Sequence, residues 1–470
     1  RPGFLFVALE SETVDSTQFG TRIDGRLHIA KAVENGAVAI LTDLETVIPS
    51  DIDQAIPIIR CDEPRFGLGI VAANFYKNLQ PETIALVTGT NGKTSVVHFT
   101  TAIWEHLGTK SASIGTLGVK DGFGNLIRDA DSGLSVPETV ALHAVLSELY
   151  LQGRNAISME ATSHALFDFR LSSVNATIAA FTNFTRDHLD FHADMEEYFQ
   201  IKLRLFKDVV PEGCFAVLNT DMDRYLDVFN VCKARRLKTL TYGKDSDDFK
   251  MLSTSQTSYD QTLSFSFDNQ NYTVTIPLVG EFQAYNFLCA VAIVHCSGVP
   301  LPAILDAASK LKPVEGRMSL VAELTNGSKI FIDYAHTPDG LRAALEATKA
   351  ITRNRVLLVI SCLGDRDKGK RSEMGEVASR LSDCTFVCDG DPGSELPQVI
   401  RAAIISKCTT AIEEPDRKIA IQRAIRGLKD DDSLLIVGRG DVRYHLAGSS
   451  HETTDRELVL GILSEESIHL

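Results

Sequence analysis

Short apolar runs alternate along this chain with polar, helix-compatible stretches, the rhythm expected of strands followed by helices. In the first eighty residues the runs are 4–9, 37–41 and 55–59, and Pro57 restricts the last of them to a sheet edge. The run Ile84, Ala85, Leu86 and Val87 feeds the turn Thr88-Gly89-Thr90-Asn91-Gly92-Lys93-Thr94. A helical pattern follows, with Val96, Phe99, Ile103 and Leu107 on one face and a stop at Gly108. Runs 156–159 and 176–181 read as further strands, each ending in polar or ionisable residues. Between about 238 and 280 the pattern shortens to alternating strands such as 263–267 and 272–276, which predicts a β insertion, and 281–311 return to helix. From near Pro313 a last unit predicts strands at 330–332, 356–361, 385–387 and 434–437, with Thr337 capping a helix whose first residue is Pro338.

This alternation is an α/β signature. Together with a length of 470 residues it predicts three domains, at 1–80, 81–312 and 313–470. No internal repeat or low-complexity tract interrupts them.

Composition narrows the class. Hydrophobic residues make up 44% and charged residues 23%, ordinary for a globular protein. A formal charge of −15 with no long basic run argues against nonspecific contact with nucleic acid or an anionic membrane, and leaves room for a local basic pocket. Nine cysteines stand singly, with no Cys-x-x-Cys pair, as reduced structural thiols of a cytosolic protein would. There is no apolar run of membrane length and no leader, so a cytoplasmic place is expected. The first residues are Arg1-Pro2-Gly3 rather than Met, so an upstream segment is expected to be missing.

The turn 88–94 is the first candidate for chemistry. A Gly-punctuated turn opening a helix presents backbone N–H groups to an anion. Lys93 would reach terminal phosphates and the Thr94 hydroxyl a magnesium ion. The general pattern wants a glycine where Val87 stands, and the bland alternative is an ordinary strand-to-helix turn with Lys93 in water. Glu160, at the next strand exit, is a magnesium ligand or a helix cap. After run 176–181 come Thr182-Asn183-Phe184-Thr185-Arg186-Asp187-His188-Leu189-Asp190-Phe191-His192, where His188 and His192 form a zinc-binding helical face or simply pack. Lys202 has Tyr198, Leu205 and Phe206 as its i−4, i+3 and i+4 neighbours, while Gln200, Arg204 and Lys207 share a polar face. Its ammonium either snorkels outward or is drawn towards bound metal. Asp333-Tyr334-Ala335-His336 and the stretch 364–371, basic at its end, leave two later strands as candidate carboxylate- or phosphate-binding loops.

Together these stretches, with Gly316-Arg317-Met318, resemble the Mur ligases, most closely the MurE type, in family order from Arg1 to about Glu457. The resemblance implies a UDP-binding domain, a central P-loop ATPase domain with a parallel sheet, and a C-terminal Rossmann-like domain that admits the amino acid. It implies a peptide-bond ligase of bacterial peptidoglycan synthesis. ATP would phosphorylate the terminal carboxylate of a UDP-muramoyl dipeptide, and an incoming amine would attack the acyl phosphate. Lys93, Glu160, His188 and Lys202 would be catalytic, with Gly89, Thr90, Asn91, Gly92, Lys93 and Thr94 cradling ATP. Asn286 would lie by the adenine, Arg317 by the γ-phosphate and Asp333 by the ribose. Thr94, Glu160, His188 and a carbamylated Lys202 would hold Mg2+. Ser135, Thr162 and Arg170 would meet the UDP substrate, and Arg366, Asp391 and Gly438 the amino acid. A monomer is expected.

The chain departs from the family pattern in named places. The family's Asp-Asn-Pro-Arg, whose arginine binds the far end of diaminopimelate, becomes Gly390-Asp391-Pro392-Gly393, and its Gly-Lys-Gly-His-Glu becomes Gly438-Arg439-Gly440-Asp441-Val442. Ser135-Val136-Pro137, Gln283 and Ser319 are smaller departures. Diaminopimelate, as the commonest substrate, stays the expected amino acid, with Arg439 or Arg443 standing in for the lost arginine. The alternatives are a ligase redirected to another amino acid or acceptor, and a nucleotide-binding scaffold without turnover.

Overall fold

The computed structural model describes residues 3–10, 24–130, 134–445 and 452–465. A three-stranded parallel sheet comes first, with Ala39–Thr42 between Leu5–Val7 and Ile58–Arg60. The strand after Pro57 is at the edge, where a residue without an N–H is tolerated.

An eleven-stranded sheet dominates the middle of the chain. Its centre is the strand Thr83–Thr88, paired in parallel with Ala156–Glu160 on one side and Ile178–Phe181 on the other. These strands are mostly apolar and almost wholly buried because both faces are covered. One face packs Lys93–His106, Glu281–Cys296 and Leu301–Ala308, and the other packs Thr139–Leu151, Met195–Arg204 and Tyr225–Ala234. The helix Glu281–Cys296 buries 283–284 and 286–294, so it is apolar all round, as an interior helix must be.

The expected β insertion is instead the edge of this same sheet. Phe249–Gln256 pairs in parallel with Lys238–Gly243, and Gln261–Phe267 and Gln270–Ile276 continue it as an antiparallel meander. Alternation arises there because an edge meander has one wet face. A second difference concerns residues 182–194, which are not helical. His188 adopts φ +56°, so it and His192 do not share a helix face.

The last sheet has six strands, five parallel and one antiparallel at its edge. Ser319–Glu323 and Ala411–Glu413 are strands that the pattern did not predict; both are edge strands, too short and too mixed in polarity to stand out. Thr337 caps Pro338–Ile351 as expected, accepting from the Gly340 N–H at 3.0 Å.

Candidate active site

A cavity of about 1040 Å³ lies outside the carboxyl ends of the central strands, where ligands bind in open α/β sheets. One wall is the turn 90–95, and the opposite wall is the loop 365–369 of the C-terminal unit.

The turn is shaped by close approach. Gly89 has φ +141°, and a Cβ there would meet Thr182 Oγ1 at 1.9 Å; at Gly92, φ +86°, it would meet Asn286 Oδ1 at 2.3 Å. Both positions therefore exclude side chains. Lys93 curls over the turn and donates to the Gly89 and Thr90 carbonyls at 2.9 and 2.8 Å.

Thr94 joins three elements. Its hydroxyl donates to Glu160 Oε1 at 2.9 Å and accepts from Arg317 at 2.9 Å, so residues 66 and 223 positions apart converge on it. Glu160 is buried and accepts from the Thr116 N–H at 2.9 Å as well as from its hydroxyl, which in turn contacts Ser135 Oγ at 2.9 Å. Thr116 was not anticipated; its only sequence signal is a hydroxyl just after a short strand.

Lys202 points inward. It is 1% exposed, donates to the Gly89 carbonyl at 2.9 Å and lies 4.6 Å from the centre of the Tyr198 ring. Burial, reinforced by the charge on Lys93, pushes its pKa well below the lysine range. Its helix, Met195–Arg204, passes directly into a π-type turn, Leu205–Val209.

His188 lies beside His164, with ring centres 4.9 Å apart, and its Nε2 is 3.4 Å from Asp187 Oδ2. Burial lowers its pKa well below the histidine range, so the ring is neutral, the form in which imidazole ligates metal. His192 is buried with neither ring nitrogen partnered among the described residues. No group of three His, Cys, Asp or Glu side chains among the described residues is arranged to hold a metal by itself. A hydroxyl, a carboxylate and a neutral imidazole suit a magnesium ion that completes its shell with phosphate oxygens and water.

The remaining predicted residues divide. Asn286, Arg317, Asp333, Ser135, Thr162, Arg170 and Arg366 all line the cavity. Asp333 accepts from the Met318 and Ala335 N–H groups, both at 2.7 Å, and burial raises its pKa. Arg170 is held by Asp168 at 2.7 Å, and Arg366 faces Asp190 at 3.5 Å. Asp391 and Gly438 are not brought to the cavity wall. The Asp391 carbonyl accepts from Gly364 N–H at 2.8 Å, and a Cβ on Gly438 would sit 3.0 Å from the Ser361 carbonyl. Of the two proposed stand-ins, Arg443 is engaged with Glu457 at 2.7 Å, whereas Arg439 lies 4.8 Å from the Tyr444 ring centre with Nε unpartnered among the described residues. Contacts across the cavity from Arg186 and Asp187 were also unforeseen.

Comparison with known proteins adds an independent finding. The Mur ligase middle domain model matches residues 87–294, and the Mur ligase glutamate ligase domain model matches 316–440. UDP-N-acetylmuramoyl-L-alanyl-D-glutamate--2,6-diaminopimelate ligase of Mesorhizobium japonicum is 37% identical over 468 residues, covering 99% of this chain and 93% of that protein. The protein of the same name from Chelativorans sp. is 38% identical, again covering 99% and 93%. A solved structure of a UDP-N-acetylmuramoyl-L-alanyl-D-glutamate--2,6-diaminopimelate ligase superposes with TM-score 0.67 at 25% identity, covering 99% of this chain and 93% of that one.

Proposed function

The chain belongs to the Mur ligase family and is a ligase of its MurE type; from this we propose that it joins 2,6-diaminopimelate to UDP-N-acetylmuramoyl-L-alanyl-D-glutamate at the expense of ATP, in the bacterial cytoplasm and as a monomer. The observation that carries the reading is the convergence of Lys93, Thr94, Glu160 and Arg317 on one wall of a cavity whose other wall bears Arg366. No helix among the described residues is long and apolar enough to cross a membrane.

In this reading residues 1–80 hold the uridine end of the substrate, 81–312 the nucleotide and 313–470 the amino acid. A carboxylate oxygen of the glutamyl group takes the terminal phosphoryl group of ATP, and ADP leaves. The amine of the amino acid then attacks the acyl carbon, phosphate departs with the C–O electron pair, and the nitrogen gives up a proton as the amide forms. Lys93 and the N–H groups of 89–94 bind and neutralise the phosphates, a largely electrostatic task. Arg317, packed over Tyr334 at 4.2 Å, is anchored to add a cation beside Thr94. Asn286 and Asp333 orient the nucleoside, and Ser135, Thr162 and Arg170 the acceptor. Thr94, Glu160 and His188 would hold Mg2+, which supplies charge neutralisation when bound. The neutral amine of Lys202 is the form able to take up CO2, and the resulting carbamate would add an anionic oxygen donor there.

Departures at Gly393 and Val442 support a second reading, the same ligase chemistry with a different amino acid. Phosphate release with UDP-muramoyl-Ala-Glu, ATP and a panel of meso-diaminopimelate, L-lysine, L-ornithine and neutral amino acids tests both. Strongest stimulation by diaminopimelate is expected. Stimulation by another member alone replaces it with the second reading, and none by any amino acid rejects both.

A further inference from the structure

Residues 182–190 face two ways. Towards the phosphate loop, Thr182 Oγ1 and Asn183 Nδ2 donate to the Asn91 carbonyl at 2.6 and 3.0 Å, and the Thr185 N–H donates to Thr90 Oγ1 at 3.0 Å. Towards the C-terminal unit, Arg186 donates to both carboxylate oxygens of Asp367, at 2.9 and 3.1 Å. Next to it, Asp187 Oδ1 accepts from the Lys370 ammonium at 3.0 Å. The other oxygen of Asp187 lies 3.4 Å from His188 Nε2 and 3.3 Å from His336 Nε2. One carboxylate thus gathers a group from its own loop and two from the C-terminal unit.

The two ion pairs differ in what they can do. Arg186 is a third exposed, with a side-chain accessibility of 34%, so its pair is partly screened. Asp187 and Lys370 are 2% and 7% exposed. A buried pair adds little net stability, because desolvation offsets attraction, but loss of one partner leaves an uncompensated charge. Such a contact therefore fixes register: the C-terminal unit seats where both charges meet, and misplacement by a fraction of an ångström is penalised. Lys370 is not among the residues lining the cavity, so it acts at a distance from the reacting groups.

We propose that Lys370 is a positioning residue of the ligase, docking on Asp187 to seat the C-terminal unit against the loop that carries His188 and braces the phosphate loop. Delivery of the amine is thereby coupled to the order of residues 182–190, while binding of the nucleotide itself is left to the phosphate loop. The inference rests on the ligase reading above.

The test uses the full chain with Lys370→Met, Asp187→Asn and the double variant. Three quantities are measured: kcat/KM for the amino acid, Kd for a non-hydrolysable ATP analogue by calorimetry, and amide hydrogen exchange of residues 182–190. Lys370→Met is expected to lower kcat/KM by about 100-fold, the scale of an ångström-level misplacement. Analogue Kd should stay at the wild-type value, exchange protection of 182–190 should fall, and the double variant should be no worse than the worse single one. Unchanged kcat/KM and protection, or losses that multiply in the double variant, would overturn the proposal, as would an equal loss of analogue affinity. If Lys370→Met does not fold, Asp187→Asn carries the same expectations. A wild-type chain without amino-acid-stimulated turnover rejects the ligase reading instead, and the exchange measurement alone then decides whether the coupling exists.

Discussion

The two walls of the cavity are built on different plans. On the phosphate-loop wall the functional groups leave adjacent strands of one sheet, and each is tied to its neighbour: Thr94 to Glu160, Glu160 to Thr116, and Lys202 to Gly89. On the C-terminal wall the loops are tied mostly to each other. Gly364 donates to the Asp391 carbonyl, Asp365 accepts from Ser394, and Glu395 accepts both terminal nitrogens of Arg371. Changing a residue of the first wall disturbs the sheet exits that all share. Changing one in the second disturbs a pair of loops. The departures from the Asp-Asn-Pro-Arg and Gly-Lys-Gly-His-Glu patterns fall in loops that pack behind the second wall, against residues 361–365.

The largest effect expected is on the first wall. Lys202→Ala should lower turnover by about 10³-fold, the cost of removing one preorganised charge from a transition state. Added acetate or propionate should restore part of it, by supplying a carboxylate where the carbamate stood, while the melting temperature changes little. Full activity of the variant without added carboxylate would mean that Lys202 is only a buried structural amine.

An asymmetric break would come next. Asp455 is fully buried and binds Arg417 through two hydrogen bonds, at 2.8 and 2.6 Å, beneath the last sheet. Asp455→Ala leaves the guanidinium uncompensated and should cost about 3 kcal/mol of stability. If the walls are independent, denaturant titration should register this loss while affinity for an ATP analogue stays unchanged at low temperature. A matching loss of analogue affinity would show that the walls unfold as one.

The same difference decides what the sequence could reveal. Thr88 to Thr94, Glu160 and Lys202 were legible because strand exits, glycines and an apolar helix face are local patterns, and the structure brings all of them to one place. The zinc or packing alternatives at His188 and His192 turned on a helix that residues 182–194 do not form; a positive φ at a histidine leaves no mark on hydrophobic periodicity. The meander 249–276 read as an insertion because alternation reports one wet face and not the sheet to which a strand belongs. Thr116 and the Asp187 to Lys370 pair depend on partners 44 and 183 residues away, which no window along the chain contains.

A smaller effect separates Arg439 from Arg443. Arg443 already has Glu457, whereas burial and the nearby Arg417 charge lower the Arg439 pKa, and its Nε lacks a partner among the described residues. A guanidinium in that state gains from an incoming carboxylate. Arg439→Met should raise the KM for diaminopimelate about tenfold, in line with the loss of one charge-assisted hydrogen bond, and Arg443→Met should not change it. Unchanged KM in both variants would leave the far end of the amino acid without an arginine.

The smallest effect asks whether the second wall can be returned to the family pattern by one change. Gly393 has φ +53°, and a Cβ there would stand 2.1 Å from Asp365 Oδ2. That carboxylate is already held by the Ser394 N–H at 2.8 Å and the Ser394 hydroxyl at 2.6 Å, so it cannot retreat without giving up both bonds. Gly393→Arg should therefore cost more than the ~1 kcal/mol of the left-handed backbone alone, and Gly393→Ala should cost the same, because the penalty belongs to the Cβ and not to the guanidinium. Neither variant should lower the KM for diaminopimelate. A lower KM for the arginine variant at undiminished stability would mean that loop 390–395 re-forms around the new side chain, and that the second wall adapts to its ligand where the first cannot.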